Sequence, residues 1–598
     1  MYVLDLYNYK RRNTNEVAIG NLKMGGVNPI RIQSMTNTST DDIENSAEQT
    51  LRIVEAGGEL VRLTTQGTKE VDSLQTIHRK IREKGCDVPL VADVHFNANV
   101  ADYAAQFVKK VRVNPGNYIS GIKSNSAEDY SDEEYRLEFE KIKSKFVPFL
   151  NICKAHHTAI RIGVNHGSLS ERMLKRWGNT PEGMVESCME FLRICREEDF
   201  KDVVISLKAS NTVMMIQAVR LLVERMDRED FHFPLHLGVT EAGDGEDGRI
   251  KSAAGIGALL ADGIGDTIRV SLSEEPEAEI PVAIFLRDYI SQRANHPIIS
   301  LKSDKVYHSQ PNQKRETFVV GNIGGENVPV VINQKVDSTK YKPDYFMDGN
   351  QIIDSNGNSY PAHSVKDFQS ANERIVFVKL SYDDLNKEVI NQLKSKNNAV
   401  ILLESGHINP VGEMRAFIHT LMAEACKTPV ILVGKYAENN IEHLQIKATA
   451  DLGTIFVDGL ADGIFIDNSG KLSNDEILSL SFGILQAVRA RISKTEYISC
   501  PGCGRTMFDL QSVVAKVKER TSHLTGLKIG IMGCIVNGIG EMADADYGYV
   551  GAARGKVSLY KKQECIEKNI PAEFAVDKLI ELIKKYGDWK EPSINVTT

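Results

Sequence analysis

Three cysteines near the end of the chain have the residue type and spacing of metal ligands. Cys500 and Cys503 form a Cys-x2-Cys pair within ISCPGCGRTMF, a turn rich in proline and glycine. Cys534 follows a β-like run and opens a glycine-rich loop, IGIMGCIVNGIGE, that ends at Glu541. Small residues let thiolates and main-chain amides approach a bulky inorganic core, and such amides hydrogen-bond the sulfides of an iron–sulfur cluster. The pattern indicates metal-centred chemistry.

The spacing of these cysteines is compatible with two kinds of metal centre. A structural zinc usually has four Cys or His ligands, often as two paired clusters. This segment lacks a second pair, and its nearest histidine in sequence is His523. A [4Fe-4S] cluster held by three cysteines would keep one iron with an exchangeable ligand, which suits it for chemistry as well as electron transfer. We therefore expect a [4Fe-4S] cluster and keep zinc as the alternative.

Length, charge and cysteine count exclude several classes of protein. At 598 residues the chain is too long for one hydrophobic core, so we expect about two to four domains. A net charge of −8 argues against a general nucleic-acid binder. The chain has no long apolar run and no signal-peptide pattern, so we expect no membrane span and a cytoplasmic location. Nine cysteines are too sparse for a disulfide scaffold, and the six without ligand spacing are expected to be small buried thiols.

Parallel βα units are predicted for the first 290 residues or so, because short β-branched runs alternate there with helical stretches. The predicted strands are PIRIQSM (29–35), LVRLTT (60–65), PLVADV (89–94), KVRVNP (110–115), AIRIGVN (159–165), DVVISLK (202–208), PLHLGVTE (234–241) and DTIRVSL (266–272). Eight such units match the size of a TIM (β/α)8 barrel. An open doubly wound sheet is the alternative, weakened by the absence of G-x-G-x-x-G after the first strand.

Most of these strands end in a charged or amide side chain, although a buried parallel strand should be nearly all apolar. The polar strand-end residues are Arg62, Asp93, His95, Arg112, Asn114, Arg161, Asn165, Lys208, Glu241, Arg269 and Ser271. In a barrel they would lie together on the catalytic face. Five of them are cations, and arginine forks match phosphate oxygens, so we expect one or two phosphates in the ligand. His95 and Glu241 are the candidates for proton transfer.

Nine motifs, in this order, carry a resemblance to a known family: VRLTTQ, LVADVHFNANVA, VRVNPGN, IRIGVNHGSL, ISLKAS, LHLGVTEAG, GIGDTIRVSL, ISCPGCGRT and MGCIVNGIGE. They closely resemble the 4-hydroxy-3-methylbut-2-en-1-yl diphosphate synthases of the non-mevalonate isoprenoid pathway, over about 1–295 and 490–598. The resemblance implies reductive ring opening of 2-C-methyl-D-erythritol 2,4-cyclodiphosphate to (E)-4-hydroxy-3-methylbut-2-enyl diphosphate. It also implies two electrons from ferredoxin or flavodoxin and a [4Fe-4S] cluster.

The resemblance further implies roles for individual residues. It assigns the cluster to Cys500, Cys503, Cys534 and Glu541. It assigns diphosphate binding to Arg62, Arg112, Asn114, Arg161, Asn165, Lys208 and Ser271, and it places Glu241 near the reacting carbons. We add Asp93, His95, Arg269 and Asn537 to the expected substrate-binding set. We also expect Glu541 to give way when the substrate's oxygen binds iron, and Glu241 to protonate the departing oxygen.

A long insert separates the two regions that carry the resemblance, as in the family's three-domain form. We expect a TIM barrel at 1–295, an α/β insert at 296–489 and an α+β cluster domain at 490–598. The insert's predicted strands are PVVIN (329–333), RIVFVKLS (374–381), AVILLES (399–405), PVILVGK (429–435), GTIFVD (453–458) and GIFID (463–467). GLADGIFID loosely mirrors LADGIGDTIRVSL, which hints at a second barrel. Its strand ends are mostly Asn, Ser and Asp, so we expect a spacer without an active site.

Three function classes are consistent with the residues taken without the resemblance: a cluster reductase, a redox-neutral cluster hydro-lyase, and a barrel transferase or binding protein with a structural zinc. Dependence on an electron donor separates the first two, and metal content separates the third. The resemblance favours the reductase. It leaves open whether the cluster domain caps its own barrel or that of a partner in a homodimer.

Overall fold

The computed structural model describes residues 5–95, 97–118, 131–305, 313–336 and 341–592. The chain divides into two compact units. The site unit comprises 13–248, 265–284 and 494–598, and the insert unit comprises 1–12, 249–264 and 285–493.

The site unit is built on a parallel barrel preceded by a short hairpin. The hairpin strands are β1 (Val17–Ile19) and β2 (Leu22–Met24), and the barrel strands are β3 (Arg31–Met35), β4 (Leu60–Thr64), β5 (Leu90–Asp93), β6 (Lys110–Val113), β7 (Ala159–Asn165), β8 (Val203–Lys208), β9 (His236–Leu237) and β10 (Thr267–Ile268). The sheet runs β8-β7-β6-β5-β4-β3-β10-β9. A parallel bridge between Ile205 and Leu235 closes the ring. The TIM-barrel prediction is confirmed, and the open-sheet alternative is wrong.

Helices follow the barrel strands along the chain. They are α1 (Ile43–Glu55), α2 (Thr68–Glu83), α3 (Ala98–Ala104), α4 (Asp132–His156), α5 (Glu171–Trp177), α6 (Pro181–Glu197), α7 (Thr212–Arg228), α8 (Gly245–Ala261) and α9 (Glu279–Ser291). Several begin at a side chain that accepts a main-chain hydrogen bond, as at α4, where Ser131 and Glu134 form a reciprocal capping box. The residue types at the helix starts therefore explain where these helices begin.

The hairpin seals the amino-terminal end of the barrel. Its buried apolar side chains pack against residues near the starts of the barrel strands; the cluster comprises Val17, Ile19, Met24, Leu60, Val91, Ala159 and Val204. The sequence analysis did not predict this hairpin. Because the amino-terminal end is filled with apolar side chains, the carboxyl ends of the strands remain for the polar residues.

The insert unit contains a second, closed eight-stranded barrel. Its strands are β11 (Val330–Gln334), β12 (Tyr345–Asp348), β13 (Gln351–Asp354), β14 (Ser359–His363), β15 (Val376–Leu380), β16 (Ala399–Glu404), β17 (Val430–Tyr436) and β18 (Gly463–Asn468). Its helices are α10 (Lys387–Ser395), α11 (Pro410–Ala423), α12 (Ile441–Ala448), α13 (Thr454–Val457) and α14 (Asn474–Ala487). The prediction of a barrel-like insert is confirmed. The antiparallel pairs β12–β13 and β13–β14 were not predicted.

One strand predicted in the insert is wrong. The run GTIFVD at 453–458 forms α13 after a π-helical turn, Thr449–Gly453. This segment is buried, so its side chains are apolar without a helical period and look like a central strand. Thr454 satisfies its hydroxyl by donating to the main-chain oxygen of Ala450 at 2.7 Å. Tertiary burial thus outweighs the β propensity of Thr, Ile, Phe and Val.

The carboxyl-terminal part of the site unit is an α+β layer. Its strands are β19 (Glu496–Ser499), β20 (Lys528–Met532), β21 (Tyr547–Ala553), β22 (Lys556–Lys561) and β23 (Glu564–Pro571), and its helices are α15 (Leu510–Thr521), α16 (Ile535–Glu541) and α17 (Ala572–Lys585). The strands pair in chain order, the first three parallel and the last three antiparallel. Cys500 directly follows β19, and Cys534 immediately precedes α16.

Candidate active site

A cavity lies within the site unit at the carboxyl ends of the barrel strands. Fourteen of the residues expected from the sequence line it: Arg62, Asp93, His95, Arg112, Arg161, Asn165, Lys208, Glu241, Arg269, Ser271, Cys500, Cys503, Cys534 and Glu541. The structure therefore brings the cationic strand ends and the cysteine-bearing loops of one chain around the same space. Whether each residue binds substrate or metal stays a prediction.

Arg161 and Lys208 are buried cations with little opposing charge. Arg161 is 1% exposed; it donates to Ser206 Oγ at 2.8 Å, while its Nε and Nη2 have no hydrogen-bond partner. Burial, with Arg62 and Arg112 nearby, lowers the pKa of Arg161 well below 12.5. Burial and Arg161 likewise lower the pKa of Lys208 well below 10.5. Such a concentration of buried positive charge is stabilised by an anion.

Glycines make room for these long side chains. A β-carbon at Gly163, in β7, would lie 2.6 Å from Arg112 Nε, and one at Gly238, just after β9, would lie 2.7 Å from Lys208 Nζ. Glycine inside a strand commonly marks such close approach. The barrel sequence thus supplies both the cations and the space they occupy.

Asp93 organises the cations around it. Its carboxylate accepts from Arg112 Nη1 at 3.1 Å and lies 3.9 Å from Arg62 Nε. Burial alone would raise the pKa of Asp93, but the charges of Arg62 and Arg112 hold it well below 3.8. Burial and Arg112 lower the pKa of His95 to about 3, so its ring is neutral at physiological pH. His95 Nε2 lies 2.6 Å from Arg112 Nη1.

Arg269 is engaged with a carboxylate of its own. Its guanidinium donates to Glu279 in a bidentate pair, with Nε 3.1 Å from Oε2 and Nη2 3.0 Å from Oε1. Both residues are buried. Arg269 still lines the cavity, but its charge is largely matched by Glu279, so it contributes less free positive charge than Arg161.

Glu241 has the geometry of a functional carboxyl group. Its φ is +49°, a left-handed conformation that is uncommon for a non-glycine residue and clusters at active sites. Its side chain is buried, and its Oε2 has no hydrogen-bond partner. Burial and the neighbouring Glu541 carboxylate raise the pKa of Glu241 well above 4.5. This arrangement disfavours the ionised form of Glu241.

Glu541 reaches from α16 into the barrel. Its Oε1 accepts from Asn165 Nδ2 at 2.6 Å, and its Oε2 accepts from Thr240 Oγ1 at 3.0 Å. Its main-chain oxygen accepts from Ser210 Oγ at 3.3 Å. The Glu541 side chain, at the end of α16, is therefore held by the last residue of β7 and by the loop after β9.

The cysteine loops also contact the barrel through the main chain. Ser273 Oγ lies 2.9 Å from both Ser499 Oγ and the main-chain oxygen of Cys500. A short parallel bridge pairs Ala242 with Ser499. These contacts belong to one chain, so the cysteine loops close over the barrel of their own chain.

Three thiols face the cavity in an environment suited to cluster ligands. Gly533 N–H donates to Cys500 Sγ at 3.2 Å, although burial raises the pKa of the Cys500 thiol to about 12. A hydrogen bond from Cys534 and the charge of Arg505 lower the pKa of Cys503 well below 9.0 against the effect of burial. In the described part of the chain, no group of three or more His, Cys, Asp or Glu side chains is arranged to hold a metal ion. The donors, three thiols and a carboxylate with a main-chain amide directed at sulfur, fit an iron–sulfur cluster.

Two residues expected to bind substrate, Asn114 and Asn537, are not among the described residues that line the cavity. Asn114 does not line the cavity; it donates to Ser168 Oγ at 2.8 Å and accepts from Gly116 N–H at 3.2 Å, which stabilises the turn after β6. The side chain of Asn537 lies outside the described part of the structure. A substrate-binding role for either residue stays a prediction.

Thr240 and Arg505 are among the nine lining residues that the sequence analysis did not predict. Arg505 is 8% exposed, and its Nε and Nη1 have no hydrogen-bond partner. Burial lowers the pKa of a guanidinium, yet Cys503, Asp93 and Cys534 raise the pKa of Arg505 above its usual value. The sequence feature that could have predicted Arg505 is its position two residues after Cys503. For Thr240 the only such feature is its position next to Glu241.

Fold and site together define a class of protein: a TIM barrel whose cationic mouth is closed by a cysteine-bearing carboxyl-terminal domain. Two family models match the chain, the GcpE TIM-barrel domain over residues 14–284 and the GcpE protein C-terminal domain over residues 496–585. The chain belongs to the GcpE family.

Curated relatives match along the whole chain. A protein of Bacteroides fragilis is 57% identical over 619 residues, covering 100% of this chain and 99% of its own. A protein of Chlorobaculum tepidum is 39% identical, covering 99% of this chain and 91% of its own. Both bear the name 4-hydroxy-3-methylbut-2-en-1-yl diphosphate synthase (flavodoxin).

None of the helices in the described part of the chain is both long enough and apolar enough to cross a membrane.

Proposed function

We propose that this chain is an iron–sulfur oxidoreductase that converts 2-C-methyl-D-erythritol 2,4-cyclodiphosphate into (E)-4-hydroxy-3-methylbut-2-enyl diphosphate. The relatives' name supports this product and flavodoxin as electron donor. The observation that carries the proposal is the composition of one cavity. Cations suited to a diphosphate and three cysteines suited to a cluster line the same space, so one substrate can contact both.

The cations have two tasks in this reaction. Arg112, Arg161 and Lys208 bind the cyclodiphosphate and then stabilise the negative charge that appears as the ring opens. Burial and the neighbouring cations lower the pKa of Arg161 and of Lys208, which supports an anion as their partner. Diphosphate supplies the missing charge, so binding and charge stabilisation use the same side chains.

The carboxyl groups act on the departing oxygen. A [4Fe-4S] cluster, held by Cys500, Cys503, Cys534 and Glu541, would supply low-potential electrons and a Lewis acid for C–O cleavage. Glu241 is buried beside Glu541 with one oxygen unpartnered, so it can give its proton to the oxygen that leaves.

Further parts of the proposal concern organisation and place. We propose three domains, a substrate barrel at 1–295, an insert at 296–489 and a cluster domain at 490–598. We propose a cytoplasmic location, because thiolate ligands need a reducing compartment. We also propose that one chain suffices for a complete site, since its own cysteine loops line its own barrel. A homodimer would then not be needed to complete the cavity.

Anaerobic preparation tests the function directly. Iron and sulfide are assayed together with the visible spectrum, and turnover of the cyclodiphosphate is followed with reduced flavodoxin. We expect about four irons per chain, a band near roughly 400 nm that bleaches on reduction, and product formation that requires the donor.

Two outcomes would contradict the proposal. Stoichiometric zinc in protein never exposed to air would remove the redox mechanism. Turnover without any electron donor would indicate instead a hydro-lyase, in which the metal acts only as a Lewis acid. A useful control is Cys565→Ser, because Cys565 does not line the cavity and should leave the iron content unchanged.

A further inference from the structure

The Glu541 carboxylate occupies a position made by the barrel. Its Oε1 accepts from Asn165 Nδ2 at 2.6 Å and its Oε2 from Thr240 Oγ1 at 3.0 Å, with the Glu241 carboxyl group beside it. Asn165 is the last residue of β7, and Thr240 lies three residues after β9. The Glu541 side chain is only 4% exposed, so these contacts are made away from water.

Both donors are themselves fixed. Arg112 Nη2 lies 3.5 Å from Asn165 Oδ1, which directs the amide nitrogen of Asn165 toward Glu541. The main-chain N–H of Thr240 donates to Ala209 at 3.1 Å, which holds the loop after β9 against the end of β8. Hydrogen bonds to a carboxylate are stronger than those between neutral groups, so two donors at fixed positions stabilise the Glu541 side chain here.

We propose that Thr240, together with Asn165, forms a holding site for the Glu541 carboxylate, occupied whenever that carboxylate is not a ligand of the metal centre. The inference rests on the proposed function, in which Glu541 is the exchangeable fourth ligand. A displaced carboxylate without partners would be costly in a buried cavity and would compete with substrate for the metal. The Asn165 and Thr240 donors stabilise the displaced carboxylate and so reduce its competition with substrate for the metal. Thr240 is thereby a positioning residue that acts through Glu541.

Thr240 is the more specific of the two donors. The Asn165 amide has two N–H groups, so it can serve Glu541 with one and substrate with the other. The Thr240 hydroxyl has a single proton; it lies 3.0 Å from Glu541 Oε2 and also within hydrogen-bonding reach of Glu241. Changing Thr240 therefore tests the holding site without removing a predicted diphosphate ligand.

The test uses the cluster-loaded protein, reduced with dithionite under anaerobic conditions and titrated with the cyclodiphosphate. The readout is the substrate concentration at which the EPR signal of the reduced cluster changes. Thr240→Val keeps the shape and removes the hydroxyl, so we expect about tenfold more substrate to be needed. Thr240→Ser retains the hydroxyl and should titrate as the wild type. Ser210→Ala is the matched control, because Ser210 contacts only the main-chain oxygen of Glu541.

Failure of the inference and failure of the proposed function give different results. A Thr240→Val protein that titrates as the wild type would overturn the holding site. A wild-type protein without iron, or without any substrate-dependent signal, would refute the proposed function instead. Should Thr240→Val lose its cluster, Thr240→Ala compared with Thr240→Ser carries the same test, and equal titrations for these two would overturn the proposal.

Discussion

The main chains of Gly167 and Gly540 pack so closely that neither position has room for a side chain. A β-carbon on Gly540 would lie 1.5 Å from the carbonyl oxygen of Gly167, and one on Gly167 would lie 2.0 Å from the carbonyl carbon of Gly540. Gly167 lies just beyond β7, and Gly540 directly precedes Glu541. The contact sets how far the end of α16, which carries Glu541, reaches into the barrel.

Gly167→Ala should therefore abolish most activity while leaving the barrel folded. Displacement of the end of α16 by even about 1 Å is expected to lower kcat by roughly 100-fold, because the reacting groups lose their alignment. Turnover and circular dichroism check this. Gly406→Ala is the matched control, since no atom lies within 4 Å of the β-carbon it would add. Normal turnover by Gly167→Ala would show that the loops need not close this tightly.

Arg505 should contribute to substrate binding as well as to the cysteine environment. Two of its guanidinium nitrogens have no hydrogen-bond partner, and the side chain lines the cavity. Removing charged hydrogen bonds to a phosphate in Arg505→Gln should raise KM by about 10- to 100-fold. The reduction potential of the cluster should also become more negative, because a nearby positive charge favours the reduced state.

Arg505→Lys keeps the charge and separates these two effects. We expect its reduction potential to stay near the wild-type value while its KM still rises, because lysine lacks the arginine fork. Potentiometric titration followed by EPR measures the first quantity, and steady-state kinetics the second. An unchanged KM in both variants would remove Arg505 from the substrate site.

Anions should stabilise even the cluster-free protein. Arg161 has two nitrogens without a hydrogen-bond partner, and burial disfavours its charge, so inorganic pyrophosphate should bind and raise Tm. At 100 times its Kd, such a ligand adds about 2.7 kcal/mol to the free energy of unfolding. Arg161→Met should raise Tm without ligand and lose most of the shift with pyrophosphate. Differential scanning fluorimetry measures both, and an equal pyrophosphate shift in wild type and variant would contradict the prediction.

The barrel strands were predictable because burial makes most of their residues apolar, whereas the site places polar residues at their ends. AIRIGVN coincides with β7, Ala159–Asn165, where apolar residues fill the interior and Arg161 and Asn165 interrupt them. The short antiparallel strands β12 to β14 carry mixed polar sequence, so nothing distinguished them from loops. A strand pattern depends on what covers each face, and that is decided by distant parts of the chain.

The site was predictable only where residue type carried the chemistry. Cysteines and strand-end arginines are recognisable from sequence because few other roles suit them. Thr240 is not, since a threonine in VTEAG gives no sign that its hydroxyl meets Glu541, 301 residues further along the chain. Likewise, the pairing of Arg269 with Glu279 could not be read from their separation of ten residues.

Lys110 should make stability depend on pH. It is fully buried in the barrel with Gln33 Oε1 at 3.3 Å; Arg161, Arg62 and His236 are its charged or titratable neighbours. Burial lowers its pKa well below the 10.5 of the unfolded chain. Folding therefore opposes protonation of Lys110, and this penalty is greatest below the folded pKa and vanishes as pH rises to 10.5.

Lys110→Met removes that penalty. We expect the variant to exceed the wild type in unfolding free energy by about 1 kcal/mol or more at pH 7, with the gap closing toward pH 10. Urea denaturation at a series of pH values measures the difference. A gap that is constant with pH would mean that Lys110 keeps its proton on folding.

The second barrel should tolerate changes at its mouth but not in its buried ion pairs. Glu404 and Asp467 lie at strand ends, partly exposed, and the expected spacer role means that Glu404→Gln and Asp467→Asn keep wild-type turnover. Asp458, by contrast, accepts from the buried Arg415 at 2.8 Å.

Asp458→Asn leaves Arg415 with one fewer carboxylate in a buried position, although Asp262 still lies 2.9 Å from it. The unfolding free energy should fall by about 2–4 kcal/mol, because removing one partner leaves a buried charge less compensated. Chemical denaturation of the three variants, beside turnover at a temperature where all are folded, makes the comparison. Loss of turnover in folded Glu404→Gln or Asp467→Asn would show that the second barrel takes part in the reaction and is more than a spacer.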